Sequence, residues 1–259
     1  MPKAGRRAAI AVLLASAVIL TGCKTTSQMG AASNLTTAST TPISAEALAD
    51  LGQKWQANPA DTSKGLAYAS GLEGMGQAAQ ALAVYQRLSE SNPGDARLAA
   101  LYGRKLVANG KAEDAIPILE AAEQKGDTDW RTLSALGSAY DQKGLYDKAR
   151  EQYRKALAAD PQNFTVMNNL AMSYALQGNL KEAEKELRAA DALPRSQTEP
   201  RIRQNLALVV GLQGRFDEAS KIARQDLPPQ QVEENMAYLK KMLSQPNTWQ
   251  QLSSPGPQG

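Results

Sequence analysis

From Ser44 onward, apolar and small residues recur at steps of three and four, the spacing that places side chains on one face of a helix. Residues 130–163 show this most clearly. Leu133, Leu136, Gly137 and Tyr140 form one stripe, Gly144 interrupts it, and Tyr146, Ala149, Tyr153, Ala156 and Leu157 form a second. Pro161 ends the second stripe, and Asp160 before it is biased away from helix. The pattern predicts two antiparallel helices, with the small residues Gly137, Ala149 and Ala156 allowing a close approach. It also recurs along the chain. Gly76, Gly110, Gly144, Gly178 and Gly214 are separated by 34, 34, 34 and 36 residues, and each is followed five residues later by an alanine. A fixed period of this size marks stacked repeats.

The residues of unit 130–163 resemble the tetratricopeptide repeat at nearly every defining position, except that Trp130 precedes the usual aromatic position, which Leu133 fills. Units 62–95, 96–129, 164–197 and 200–233 carry looser versions of the pattern. In 96–129, Asp127 stands where the helix-ending proline is expected. Ser44 followed by Ala45 to Ala57 predicts an N-capped leading helix ended by Asn58-Pro59, and Val232 to Leu243 a closing amphipathic helix. The expected architecture is all-α: about twelve helices and no strands, forming a right-handed superhelix of about five tetratricopeptide repeats with capping helices over residues 44–245, and a mobile tail over 246–259.

The segment before the array reads as an address. Lys3, Arg6 and Arg7 precede an apolar run of 13 residues, Ala8 to Leu20. That run is shorter than the roughly 20 residues a membrane-spanning helix needs. It ends in Leu20-Thr21-Gly22-Cys23, which resembles a bacterial lipobox. The resemblance implies a signal peptide over 1–22, lipid attachment at Cys23 and anchoring at the periplasmic face of the outer membrane in a Gram-negative cell. The Ser/Thr/Ala-rich segment that follows extends the 23–43 region as a tether, with a reach of about 25 Å.

Composition narrows the chemistry. The chain has 259 residues, no histidine and a single cysteine, so a histidine-based triad, an imidazole metal site and an intramolecular disulfide are all excluded. No catalytic residues, metal ligands or cofactor are expected beyond the covalent lipid on Cys23. The net charge of +3 comes from the three leading cations, since the remainder carries 26 basic and 26 acidic residues. A neutral body gives no electrostatic footprint for nucleic acid. Gly74-Met75-Gly76 with Ala79 fits a relaxed dinucleotide fingerprint, but it lies between two predicted helices instead of after a strand.

A more specific resemblance lies near the C-terminus. Residues 201–219 (RIRQNLALVVGLQGRFDEA), Asp226-Leu227-Pro228 and Asn235-Met236-Ala237-Tyr238-Leu239 resemble the TadD family, the tetratricopeptide lipoproteins of Tad (Flp-type) pilus secretion machinery. The resemblance implies a pilotin-like, non-enzymatic role in localising or assembling a secretin or another pilus component. A general periplasmic scaffold for outer-membrane protein or cell-wall assembly is the alternative reading. In such arrays the first helix of each pair lines a concave groove, which here implies a protein-binding site containing Arg97, Arg104, Arg131, Ser138, Asn168, Met172, Arg201, Gln204 and Leu208, with Ser134 and Asp141 also facing it. The recurring arginines favour an acidic or C-terminal peptide, and Asn168 suits a peptide backbone.

Overall fold

The computed structural model describes residues 43–194 and 198–244. The expected signal peptide, Cys23, most of the tether and the tail lie outside them. Twelve helices and no strand occur among the described residues: α1 (Ala45–Gln56), α2 (Thr62–Gly74), α3 (Ala78–Ser91), α4 (Ala96–Ala108), α5 (Ala112–Gln124), α6 (Trp130–Gln142), α7 (Tyr146–Ala159), α8 (Phe164–Gln177), α9 (Leu180–Asp191), α10 (Pro200–Leu212), α11 (Phe216–Ala223) and α12 (Pro229–Leu243). None of these helices is long and apolar enough to cross a membrane. The chain divides into two compact units, the first ending at Val84 and the second beginning at Tyr85, within α3.

The first unit contains α1 and α2. Ser44 caps α1, its hydroxyl accepting from the Ala47 N–H at 3.1 Å. Trp55 of α1 is buried and lies 5.9 Å from the Tyr68 ring of α2, while its indole N–H donates to the Pro59 carbonyl at 3.2 Å. The Asn58-Pro59 turn therefore ends the helix and also supplies a partner for the buried indole.

In the second unit the helices from α4 to α9 alternate in how they begin, whereas α10 opens on Pro200 with no side-chain cap. Asp95, Asp129 and Asn163, immediately before α4, α6 and α8, accept hydrogen bonds from backbone N–H groups of the first turn. Each such cap contributes about 1 kcal/mol. The second helices α5, α7, α9 and α11 have no side-chain cap. They start directly out of a glycine turn. At Gly110 (φ 73°) the Gly110 N–H donates to Val107 and the Lys111 N–H to Leu106, which closes the preceding helix in a Schellman motif. Gly144, Gly178 and Gly214 also have positive φ. Gly126, at φ 89°, lies outside the glycine period. It ends α5 in the unit that lacks the expected proline. The closing helix begins at Pro229, three residues earlier than its apolar pattern indicates, because proline suits the first turn, where no N–H is required.

Packing follows the small residues. Successive helices α4 to α12 contact one another, and the first helices also contact their next-but-one neighbours: α4 with α6, α6 with α8, and α8 with α10. The eighth residues of the first helices are Gly103, Gly137, Ala171 and Ala207; the two glycines face their own second helix, and the two alanines are buried. A Cβ at Gly103 would lie 2.7 Å from Leu119, and one at Gly137 would lie 2.7 Å from Tyr153. Leu119 and Tyr153 are both buried, so neither can step aside. Gly137→Ala should therefore destabilise the protein by about 1–3 kcal/mol through overpacking, despite a helix-propensity gain of about 1 kcal/mol. Chemical denaturation of the variant and the parent checks both sign and size.

Candidate partner-binding face

Helices α4, α6, α8 and α10 begin at equivalent places, so residues of the same ordinal number share a face. The second residues are Arg97, Arg131, Thr165 and Arg201, the fifth Ala100, Ser134, Asn168 and Gln204, and the ninth Arg104, Ser138, Met172 and Leu208. Ten of the eleven groove residues expected from sequence fall at these three positions; Asp141 is twelfth in α6, and Ser134 is buried. Arg97, Arg131, Arg201 and Gln204 are exposed, while Arg104, Ser138, Asn168, Met172 and Leu208 are half-buried. Such partial exposure suits a wall that a partner can reach without unfolding the array.

Hydrogen bonds tie neighbouring first helices together along one diagonal. The side-chain amide of Asn169, sixth in α8, donates to Ser134 Oγ, fifth in α6, at 3.2 Å. Asn205, sixth in α10, donates in the same way to Asn168 Oδ1, fifth in α8, at 2.8 Å. In the α4–α6 pair this diagonal holds Ala100 and Ala135. On this diagonal, among the described residues, the polar rungs thus occur only from α6 to α10, while α6 and α4 are joined by Gln142 Nε2 donating to the Val107 carbonyl at 3.2 Å. Asn168 keeps its own amide N–H groups for another partner, and Asn205 keeps its carbonyl oxygen.

Asp141 has a different role from the groove contact expected of it. Its carboxylate accepts from Ser173 Oγ on α8 at 2.6 Å and from the Tyr153 hydroxyl on α7 at 2.9 Å, so both oxygens are engaged in joining three helices. Burial raises its pKa to about 6, against the opposing effects of those two hydrogen bonds and of the nearby Arg150. Burial and the Asp141 charge in turn push the Tyr153 hydroxyl well above its ordinary value. Arg150 is itself buried. It pairs with Asp147 and lies 4.8 Å from the centre of the Tyr174 ring.

The arginines differ among themselves. Arg131 lies over the Trp130 ring at 4.5 Å and 3.6 Å from Asp129. Arg201 lies 3.5 Å from Glu199. Arg104 makes no hydrogen bond to a described residue. Burial lowers its pKa from the usual arginine value, the charges of Asp129 and Asp127 oppose that shift, and the like charge of Arg131 adds to it. The two aspartates are already committed to the turn before α6. Asp127 accepts from the Asp129 N–H and the Thr132 hydroxyl, and Asp129 accepts from the Arg131 N–H.

Sequence reading does not find the pair between Arg203 and Asp226. Both side chains are 8% exposed, and the contact is bidentate, with Arg203 Nε 2.7 Å from Asp226 Oδ2. It fastens α10 to the turn before α12. Asp226 belongs to the C-terminal block that resembles TadD, and this part of the block builds the fold instead of presenting a surface.

Comparison with known proteins agrees with this architecture. The tetratricopeptide repeat family model matches residues 66–129 and 134–197. No curated protein sequence matches the chain. Among solved structures, TTC0263 from Thermus thermophilus, a thermophilic tetratricopeptide protein, is 22% identical with a TM-score of 0.56, over 69% of this chain and 98% of its own. YrrB, described as a tetratricopeptide protein with an unusual peptide-binding site, is 17% identical with a TM-score of 0.53, over 74% and 97%. MamA from Desulfovibrio magneticus RS-1 is 24% identical with a TM-score of 0.53, over 60% and 87%.

The Asp141 joint makes a testable statement about pH. Its folded-state pKa lies above the unfolded value of 3.8, so the folded state holds the proton more tightly between about pH 4 and about 6. The stabilisation is complete below that window and is lost as pH rises through it. The difference in stability between the parent and Asp141→Asn should shift by about 2–3 kcal/mol across the window, read from urea unfolding at pH 4, 5, 6 and 7. A difference that stays constant across these pH values would remove the assignment. Residues 66–129 and 134–197 are tetratricopeptide repeats, and the protein has the all-α fold of tetratricopeptide repeat proteins.

Proposed function

We propose that this protein is a membrane-anchored scaffold that holds an extended segment of a protein partner along α4, α6, α8 and α10, in service of a Tad-type pilus secretion apparatus, with the secretin as its target. The observation that carries the binding role is the row of half-buried residues at equivalent positions on four adjacent first helices, which leaves donors and acceptors unspent at Arg104, Asn168 and Asn205. The peptide-binding site named for YrrB lends support from the same fold. The pilus assignment rests on the resemblance of residues 201–219, 226–228 and 235–239 to the TadD family, and the anchor on the lipobox ending in Cys23. On this reading the lipid places the array at the outer membrane, the tether lets it stand off the surface, and binding requires no bond-breaking chemistry.

Two experiments separate the parts. Cys23→Ala should leave the helical circular-dichroism spectrum unchanged while abolishing palmitate labelling and moving the protein out of the membrane fraction. Retained labelling would remove the anchor. Arg131→Glu combined with Arg201→Glu should reduce capture of the secretin from mild-detergent envelopes at least tenfold, as quantified by mass spectrometry. Unchanged capture would remove this face as the binding site, and enrichment of barrel-assembly or cell-wall proteins instead would move the function to a general envelope scaffold.

A further inference from the structure

The ninth position of the first helices changes character in order along the array. It is Arg104 in α4, Ser138 in α6, Met172 in α8 and Leu208 in α10, and all four side chains are half-buried. The surroundings change in parallel. At the α4–α6 end lie exposed Arg97, the Trp130-stacked Arg131 and Arg104; Asp127 and Asp129 offset part of this charge, but their oxygens bond within the turn before α6, and Arg104 has no hydrogen-bond partner among the described residues. At the α8–α10 end, the Asn168–Asn205 pair offers one spare donor side and one spare acceptor, the pattern that a single peptide unit matches. Arg201 also lies at that end, but it is 72% exposed and paired with Glu199, which places it at the rim.

Resting on the binding face proposed above, we infer that the occupant is an extended polypeptide segment of defined polarity, with one or more carboxylates at the Arg104–Arg131 end and an apolar side chain at the Met172–Leu208 end. A half-buried guanidinium whose donors meet no hydrogen-bond acceptor gains most from a carboxylate, whose two oxygens accept its planar donors. Met172 and Leu208 have no polar atom capable of strong hydrogen bonding, and they reward an apolar contact instead. Adjacent packed helices lie about 8–10 Å apart. Two such steps separate Arg104 on α4 from Met172 on α8, which an extended chain covers in about six residues at roughly 3.3 Å each.

The test uses the full chain in detergent and fluorescein-labelled peptides, followed by fluorescence anisotropy. The reference probe is Glu-Glu, a five-residue Gly/Ser spacer and Leu-Leu. Three companions replace Glu by Gln, replace Leu by Ser, or shorten the spacer to two residues. The reference probe should bind about tenfold more tightly than each companion, a factor equivalent to 1.4 kcal/mol. Arg104→Gln should erase the preference for Glu over Gln and keep that for Leu over Ser, and Leu208→Ser should do the reverse. Equal affinity for all four probes, or no binding of any, overturns the polarity, and this result requires no protein variant. Self-association of the chain that Arg104→Gln dissolves, measured by light scattering, would assign the face to a second copy and also overturn it. Failure here with secretin capture still sensitive to Arg131 and Arg201 removes the polarity alone, whereas insensitive capture removes the face itself.

Discussion

The arrangement depends on how closely the two helices of each pair approach. Gly103 and Gly137 leave no room for even a methyl group beside Leu119 and Tyr153, and Ala171 and Ala207 are buried at the equivalent places. A larger residue at any of these positions would push the second helix outward and tilt the first. The next pair would then lose the surface on which it stacks. Because the same constraint recurs in each unit, four first helices lie in register, and residues far apart in sequence come to share one face. In a repeat protein each unit is stabilised mainly by its neighbours, so this local requirement governs the whole array.

Polar links between pairs add specificity to that packing. Asn169–Ser134 and Asn205–Asn168 follow one diagonal, and Asp141 gathers Ser173 and Tyr153 from two different helices. Each of these links would be costly if half of it were removed, because the remaining group would be left partly buried without a partner. The exposed ion pair Lys143–Glu113 and the partly exposed Lys155–Glu123 also cross between repeats, but pairs near the surface contribute little individually. The buried Arg203–Asp226 contact is of the first kind, and it secures the C-terminal end of the array.

The binding face uses positions that the packing leaves over. The eighth residues are buried, Gly103 and Gly137 against their second helices, and the sixth residues Asn169 and Asn205 are bonded to the neighbouring first helix. Second and ninth residues remain exposed or half-buried, and their chemistry differs from one helix to the next. Their variation from arginine to leucine is therefore informative about a partner in a way that the near-constant eighth position is not.

Much of this is legible in the sequence. The glycine period marks the repeat, because a left-handed turn residue is needed wherever one helix closes and the next begins at once. Apolar stripes mark the pairs, and equal spacing identifies the set of residues that share a face, since a helix maps sequence interval directly onto direction. Gly126 escapes such a reading because it lies outside the period, and the start of α12 falls earlier than expected because the apolar pattern begins after the proline that opens the helix. What the tertiary structure alone decided is which side chains meet. Periodicity shows that Asp141, Asn169, Asn205 and Arg203 lie on particular faces, but it does not distinguish one bonded across helices from one open to a partner. That distinction depends on distances of a few ångströms between helices, which are set by the packing of glycine against leucine or tyrosine in three dimensions.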